Sequence, residues 1–140
     1  MTDMILFKIP GEPVAKARPR ATKWGVYTPQ KTVSYETLVQ EMYSITYGQT
    51  MLKGGLEVDI KLFFKIPNSA SRQKKKLMED GKIRPIKKPD LDNCLKIITD
   101  ALNGIAYGDD SQIVYAAVSK FYSDVPRAEV CITQLEHDGL

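Results

Sequence analysis

Residues 56–67 read LEVDIKLFFKIP, and this alternation constrains the fold more than any other stretch of the chain. Leu56, Val58, Ile60 and Leu62 point one way and Glu57, Asp59 and Lys61 the other, which is the period of a strand with one buried and one solvated face. Pro67 ends it, because proline cannot donate to a strand ladder. A sheet with one apolar face needs a layer to cover it, and two Gly- and Pro-free stretches have the helical period for that task. In residues 30–47, Val33, Leu38, Met42 and Ile45 with Tyr35 recur at near-helical spacing until Gly48. In residues 91–102, Leu91, Leu95, Ile98 and Leu102 form an apolar stripe that Asn103-Gly104 stops.

The remaining segments complete the layers. MILFKIPG opens as a strand closed by Pro10-Gly11, QIVYAAVSKFYSD reads as another, and RAEVCITQLE as a last one with Ala128, Val130 and Ile132 on one face. SASRQKKKLMEDG has serines able to cap a short helix and Gly81 to end it. Residues 12–29 are loop-like, with WGVYT either a short strand or one arm of a hairpin. The order predicts an α/β (α+β) fold, a mixed sheet flanked by helices in one small domain spanning residues 1–140.

The net charge of +3 conceals segregation. Lys16, Arg18, Arg20 and Lys23 form one basic cluster, and Lys74, Lys75, Lys76, Arg84, Lys87 and Lys88 lie in a second. Taken alone, such a lysine run is a solvated helix face, but acidic groups gather just beyond it, at 90–92 and 109–110. The one histidine, His137, is the fourth residue from the end, a poor base for a triad or a zinc site. Cys94 and Cys131 have no metal-ligand spacing and are expected to be reduced, buried thiols. No apolar run approaches the roughly 20 residues that span a bilayer, and the N-terminus is interrupted too early for a secretory segment, so a soluble, cytoplasmic protein is expected.

The chemistry concentrates in KKPDLDNCLKIITDALNG, residues 87–104, and the GDDSQ that follows. Asp90 or Asp92 can serve as the helix N-cap, a stabilisation of about 0.5–2 kcal/mol. A second carboxylate two positions away adds repulsion unless a cation lies between the two. Hard oxygen donors suit Mg²⁺ or Mn²⁺. Asp109 or Asp110 would supply a third ligand if the fold returned the chain to the helix start, a closure that spacing does not establish for a helix about 18 Å long. Lys96, one turn after Asp92, is either half of a surface ion pair with it or a cation beside a bound phosphate. Asn93 either caps the helix or holds a metal-bound water. An acidic cluster flanked by basic segments repels phosphate until a metal bridges the two, the arrangement that metal-dependent hydrolysis of a nucleic-acid phosphodiester needs.

KKPDLDNCLKIITDALNGIAYGDDSQI resembles the signature region of the RusA family of Holliday-junction resolvases, many of them encoded by phages and prophages. The likeness extends more loosely to KARPRAT, to SRQKKKLMEDGKIRPIKKPD and to KFYSDVPRAEVCI. It implies a homodimeric endonuclease that needs Mg²⁺ or Mn²⁺ and resolves four-way DNA junctions by paired nicks in recombination and repair, on the nucleoid. On the matched positions it implies Asp90, Asp92 and Asp110 as essential metal-binding carboxylates and Lys96 as the catalytic lysine, with Asp109 at the preceding acidic position as an optional further metal ligand. Lys16, Arg18, Arg20, Lys74, Lys75, Lys76, Arg84, Lys87, Lys88 and Lys120 are the candidate DNA contacts. The resemblance also implies that the fold brings the two acidic pairs together. Two rival readings remain: a nuclease for flaps or forks, and a branched-DNA-binding protein whose acidic cluster does no chemistry.

Overall fold

A computed structural model describes residues 3–136, so His137 lies outside the described residues. The sheet has four strands in the order β1-β6-β4-β5, with β1 at Asp3–Pro10, β4 at Leu56–Lys65, β5 at Ile113–Ser123 and β6 at Arg127–Gln134. β6 runs antiparallel to both β1 and β4, whereas β4 and β5 are parallel, which makes the sheet mixed as predicted. The parallel pair needs a long crossover, and residues 66–112 supply it with helices α2 (Arg72–Glu79) and α3 (Leu91–Leu102). A separate two-stranded hairpin, β2 (Arg20–Thr22) and β3 (Gly25–Tyr27), precedes helix α1 (Gln30–Tyr47).

Alternation decides which face is covered. Ile5, Phe7 and Ile9 from β1, Leu56, Val58, Ile60 and Leu62 from β4, and Ala128, Val130 and Ile132 from β6 are buried in one core with residues of α1 and α3. Glu57, Asp59 and Lys61 face solvent on the other side. Cys131 falls on that second face and is half-buried, which corrects the expectation that both thiols are buried; only Cys94 is. The register dictates this, since Cys131 stands between the inward Val130 and Ile132.

Both long helices run where the sequence places them, with their buried faces turned from the predicted stripes. In α1 the buried residues are Thr32, Tyr35, Val39 and Tyr43, while Val33 and Ile45 are exposed. Tyrosines set this rotation. Tyr43 packs edge-to-face on Phe7 with ring centroids 5.6 Å apart, and Tyr47 Oη donates to Leu6 O (2.9 Å) and accepts from Leu6 N (2.7 Å). In α3 the buried residues are Cys94, Ile97, Ile98, Thr99, Ala101 and Leu102, and Leu91 is exposed. The turn toward Cys94 and Ala101 lets α3 approach its neighbours closely and leaves Asp92 and Lys96 on the exposed side.

Candidate active site at the two ends of helix α3

Asp90 is the N-cap residue of α3 by position and backbone conformation, yet its side chain makes no cap hydrogen bond. Asp92 stands in the first turn. Both are exposed, and neither carboxylate has a hydrogen-bond or ion-pair partner among the described residues. Two carboxylates two residues apart thus stand uncommitted at the positive end of a helix dipole.

The segment that delivers Asp90 is pinned from β5. Lys120 Nζ donates to Lys87 O (2.5 Å) and Pro89 O (3.1 Å), and lies 5.6 Å from the Phe64 ring. Arg84 Nε donates to Lys120 O at 2.7 Å, with its guanidinium 4.1 Å from the Phe121 ring centroid. From the other side Lys16 N donates to Asn93 O at 2.9 Å, tying the early basic loop to the first turn of α3. Asn93 therefore contributes a backbone acceptor there. Burial pushes the nearby Cys94 thiol up to about 11; Lys120 opposes that rise, and Asp90 and Asp92 add to it. Cys94 remains a packed, protonated thiol at neutral pH.

Lys96 pairs with Asp100 (3.6 Å), one turn onward, and not with Asp92. Asp100 also receives Lys16 Nζ at 3.6 Å, and Lys16 donates to Glu36 Oε2 at 2.7 Å. Burial alone would lower the Lys16 pKa, but Glu36 and Asp100 outweigh it and hold the ammonium above its ordinary value. Lys16, expected to meet DNA, is thereby engaged in a chain that runs Glu36, Lys16, Asp100, Lys96. Asp100 escaped the sequence reading, although its place four residues after Lys96 was the signal.

The second acidic pair belongs to a different structure. Asp109 caps a single 3₁₀ turn, Asp110–Gln112: its side chain accepts from Ser111 N at 3.3 Å, and Gln112 Oε1 accepts from Asp109 N (3.1 Å) and Gly108 N (2.9 Å). Hydrogen bonds from Ser111, and after them one from the Asp110 backbone, hold the Asp109 carboxyl below the ordinary carboxylate range. Gln112 Nε2 donates to Leu52 O (3.4 Å) and Gly54 O (3.1 Å), which anchors the turn to the start of β4. Asp110 is half-buried, and its carboxylate has no hydrogen-bond partner among the described residues. Nearby, Tyr107 Oη donates to Thr99 O at 2.7 Å, and burial, then Asp110 and Asp100, raise the Tyr107 pKa well above its usual range.

The expectation that the fold brings Asp110 to Asp90 and Asp92 is not met within one chain. Asp110 precedes the first residue of β5, while Asp90 follows a segment clamped by Lys120, seven residues along that strand, a separation of about 23 Å along the strand axis. Thr99, beside Tyr107, lies toward the far end of α3 from Asp90. Among the described residues, no three Asp, Glu, His or Cys side chains form a group that could hold a metal ion. Asp90 and Asp92 fit part of a hard-ion shell by donor type, and Asp110 is a third donor of the right kind toward the other end of α3.

Of the remaining predicted DNA contacts, Arg18, Arg20, Lys74, Lys76, Lys87 and Lys88 are exposed, and Lys75 is half-buried. Arg84 and Lys120 spend backbone-directed hydrogen bonds on the loop. No helix among the described residues is long and apolar enough to cross a membrane.

A family model described as endodeoxyribonuclease RusA matches residues 10–133. The chain is also 41% identical over 139 residues to the uncharacterized protein YqaN of Bacillus subtilis (strain 168), a match covering 95% of this chain and 98% of that protein.

Proposed function

The chain belongs to the RusA endodeoxyribonuclease family, and from that premise we propose that it resolves four-way DNA junctions by paired, symmetric nicks, as a homodimer that depends on Mg²⁺ or Mn²⁺. The observation that carries the reading is the uncommitted carboxylate pair, Asp90 and Asp92, at a helix N-terminus just after the exposed Lys87 and Lys88. A divalent ion, when bound, supplies a Lewis acid that polarises water and offsets charge on the scissile phosphate. Asp90 and Asp92 would hold it, with Asp110 as the third carboxylate. Lys96, which pairs with Asp100, would set its ammonium against the charge that develops on the leaving oxygen. Asp109 shapes the turn that presents Asp110.

A second copy supplies what one chain lacks. Asp110 abuts β5, an edge strand whose first residues expose Val114 (66%) and Tyr115 (56%), an apolar patch suited to a partner. In a two-fold dimer, Asp110 of one subunit can complete the pair of the other, giving two sites for a junction that itself has two-fold symmetry. Arg18, Arg20, Lys74, Lys76, Lys87 and Lys88 take the arms by their phosphates, so the enzyme selects shape more than sequence, in recombination and repair on the cytoplasmic nucleoid.

The test is an end-labelled four-way junction beside three-way and linear controls, with Mg²⁺ or with EDTA. Symmetric nicks on the four-way junction alone, lost in EDTA and in the Asp92→Asn variant, are the expected result. Preferential cutting of flaps or forks would replace the substrate, and junction binding without cutting under any divalent metal would remove the enzyme.

A further inference from the structure

The hairpin of β2 and β3 is a sheet of its own, and every residue of both strands is exposed. A two-stranded ribbon that buries so little is marginal in water, yet this one is braced at its tip. Thr22 Oγ1 accepts from Trp24 N and donates to Gly25 O, both at 3.1 Å, while Gly25 takes φ +124°, where a side chain would be strained. The device holds Trp24 outward with 86% of its surface exposed, against the ordinary tendency of that side chain to find cover. Lys23 Nζ lies 5.1 Å from the indole centroid, and Arg18 and Arg20 stand exposed at the root. The root reaches the candidate site: a groove lined by Arg20, Lys31 and Pro89 leads to the residue before Asp90, and Lys16 N is bonded to Asn93 O, next to Asp92.

We propose that Trp24 stacks on bases laid open at the branch point, so that the hairpin acts as a wedge selecting branched over linear DNA. This rests on the junction-cutting reading above and adds the residue that senses the branch. An indole stacks on any base face, and the flanking Lys23, Arg18 and Arg20 meet the phosphates that accompany it. Linear duplex exposes no base face along its length, so it cannot satisfy Trp24.

Trp24 is the single tryptophan of the chain, so its emission reports the contact directly. In EDTA, where no strand is to be cut, a four-way junction is titrated into the protein, and a linear duplex in parallel, with gel shift on the same samples. Emission should fall by about half or more with the junction and by about a tenth or less with the duplex, since stacking places the indole against a base. Trp24→Ala should weaken junction binding about tenfold while leaving duplex binding within about twofold, and Trp24→Phe should recover much of the loss. A junction that binds with unchanged emission, or that binds Trp24→Ala as tightly as wild type, overturns the wedge and leaves the resolvase reading standing. A protein that shifts no junction at all loses both.

Discussion

The two ends of α3 each present a pair of aspartates, and the fold treats them oppositely. At the N-terminal end, Asp90 and Asp92 are solvent-facing and partnerless among the described residues, while the hydrogen bonds that position them come from elsewhere: Lys120 on the carbonyls of Lys87 and Pro89, and Lys16 N on Asn93 O. At the other end, Asp109 spends its carboxylate on a cap, and only Asp110 is spare. A carboxylate used for structure shows its hydrogen bonds; one kept for a ligand shows a supported backbone and an idle side chain. By that criterion the candidate ligands are Asp90, Asp92 and Asp110, and among the described residues of one chain they form no common group.

That contrast can be broken by mutation at each end. The largest loss is expected from Asp92→Asn: junction cleavage by the variant should fall about a thousandfold or more with its thermal unfolding unchanged, because a proposed ligand of the divalent ion is removed and no structural bond with it. A Tm drop of several degrees would show instead that Asp92 is a structural cap. Lys120→Met keeps the stem over Phe64 but deletes the hydrogen bonds to Lys87 O and Pro89 O. The freed loop should cost about tenfold in cleavage rate, with Asp90 less well placed, and about 1 kcal/mol of stability by chemical denaturation. The smallest effect on catalysis belongs to Asp109→Asn, which retains a capping oxygen; its cleavage rate should stay within about threefold of wild type. The pH signature is more telling there. The folded Asp109 pKa lies below its ordinary value of 3.8, so its contribution to stability is present above that pH and is lost as pH falls through the lower folded value. The variant should therefore match wild type in the steepness of unfolding near neutrality and show less acid sensitivity below about pH 4. An unchanged acid limb would mean that the cap contributes nothing.

Much of this was legible in the sequence, for identifiable reasons. β4 and β6 announce their inward faces by alternation, and α3 begins and ends where Asp90 and Asn103-Gly104 place its limits. The helix faces were less legible: Tyr35 falls inward as its spacing predicts, but Tyr43 and Cys94 read ambiguously beside leucines and valines, and contact with Phe7 decides that Tyr43 goes inward. The partner of Lys96 was open to two spacings, Asp92 before it and Asp100 after it; the Lys16–Glu36 pair that holds Asp100 in the same cluster comes from the early loop and helix α1 and leaves no local trace. The separation of the acidic pairs was equally hidden, since it depends on β5 running the length of the sheet between them. The Trp24 hairpin shows the limit from the other side: WGVYT carries the strand signal, but only the fold reveals that nothing covers it.

The direct test of the divided site is subunit mixing. Asp92→Asn and Asp110→Asn, each inactive alone, are combined under conditions that allow subunits to exchange, and the products on a labelled four-way junction are sized. If Asp110 of one subunit completes the Asp90–Asp92 pair of the other, each mixed dimer has one site with both substitutions and one with neither. The mixture should then regain about one quarter of the wild-type sites, as single nicks without paired resolution. No recovery from a mixture shown to have exchanged would mean that each chain holds its own complete set, and the account of a site shared between two copies would be wrong.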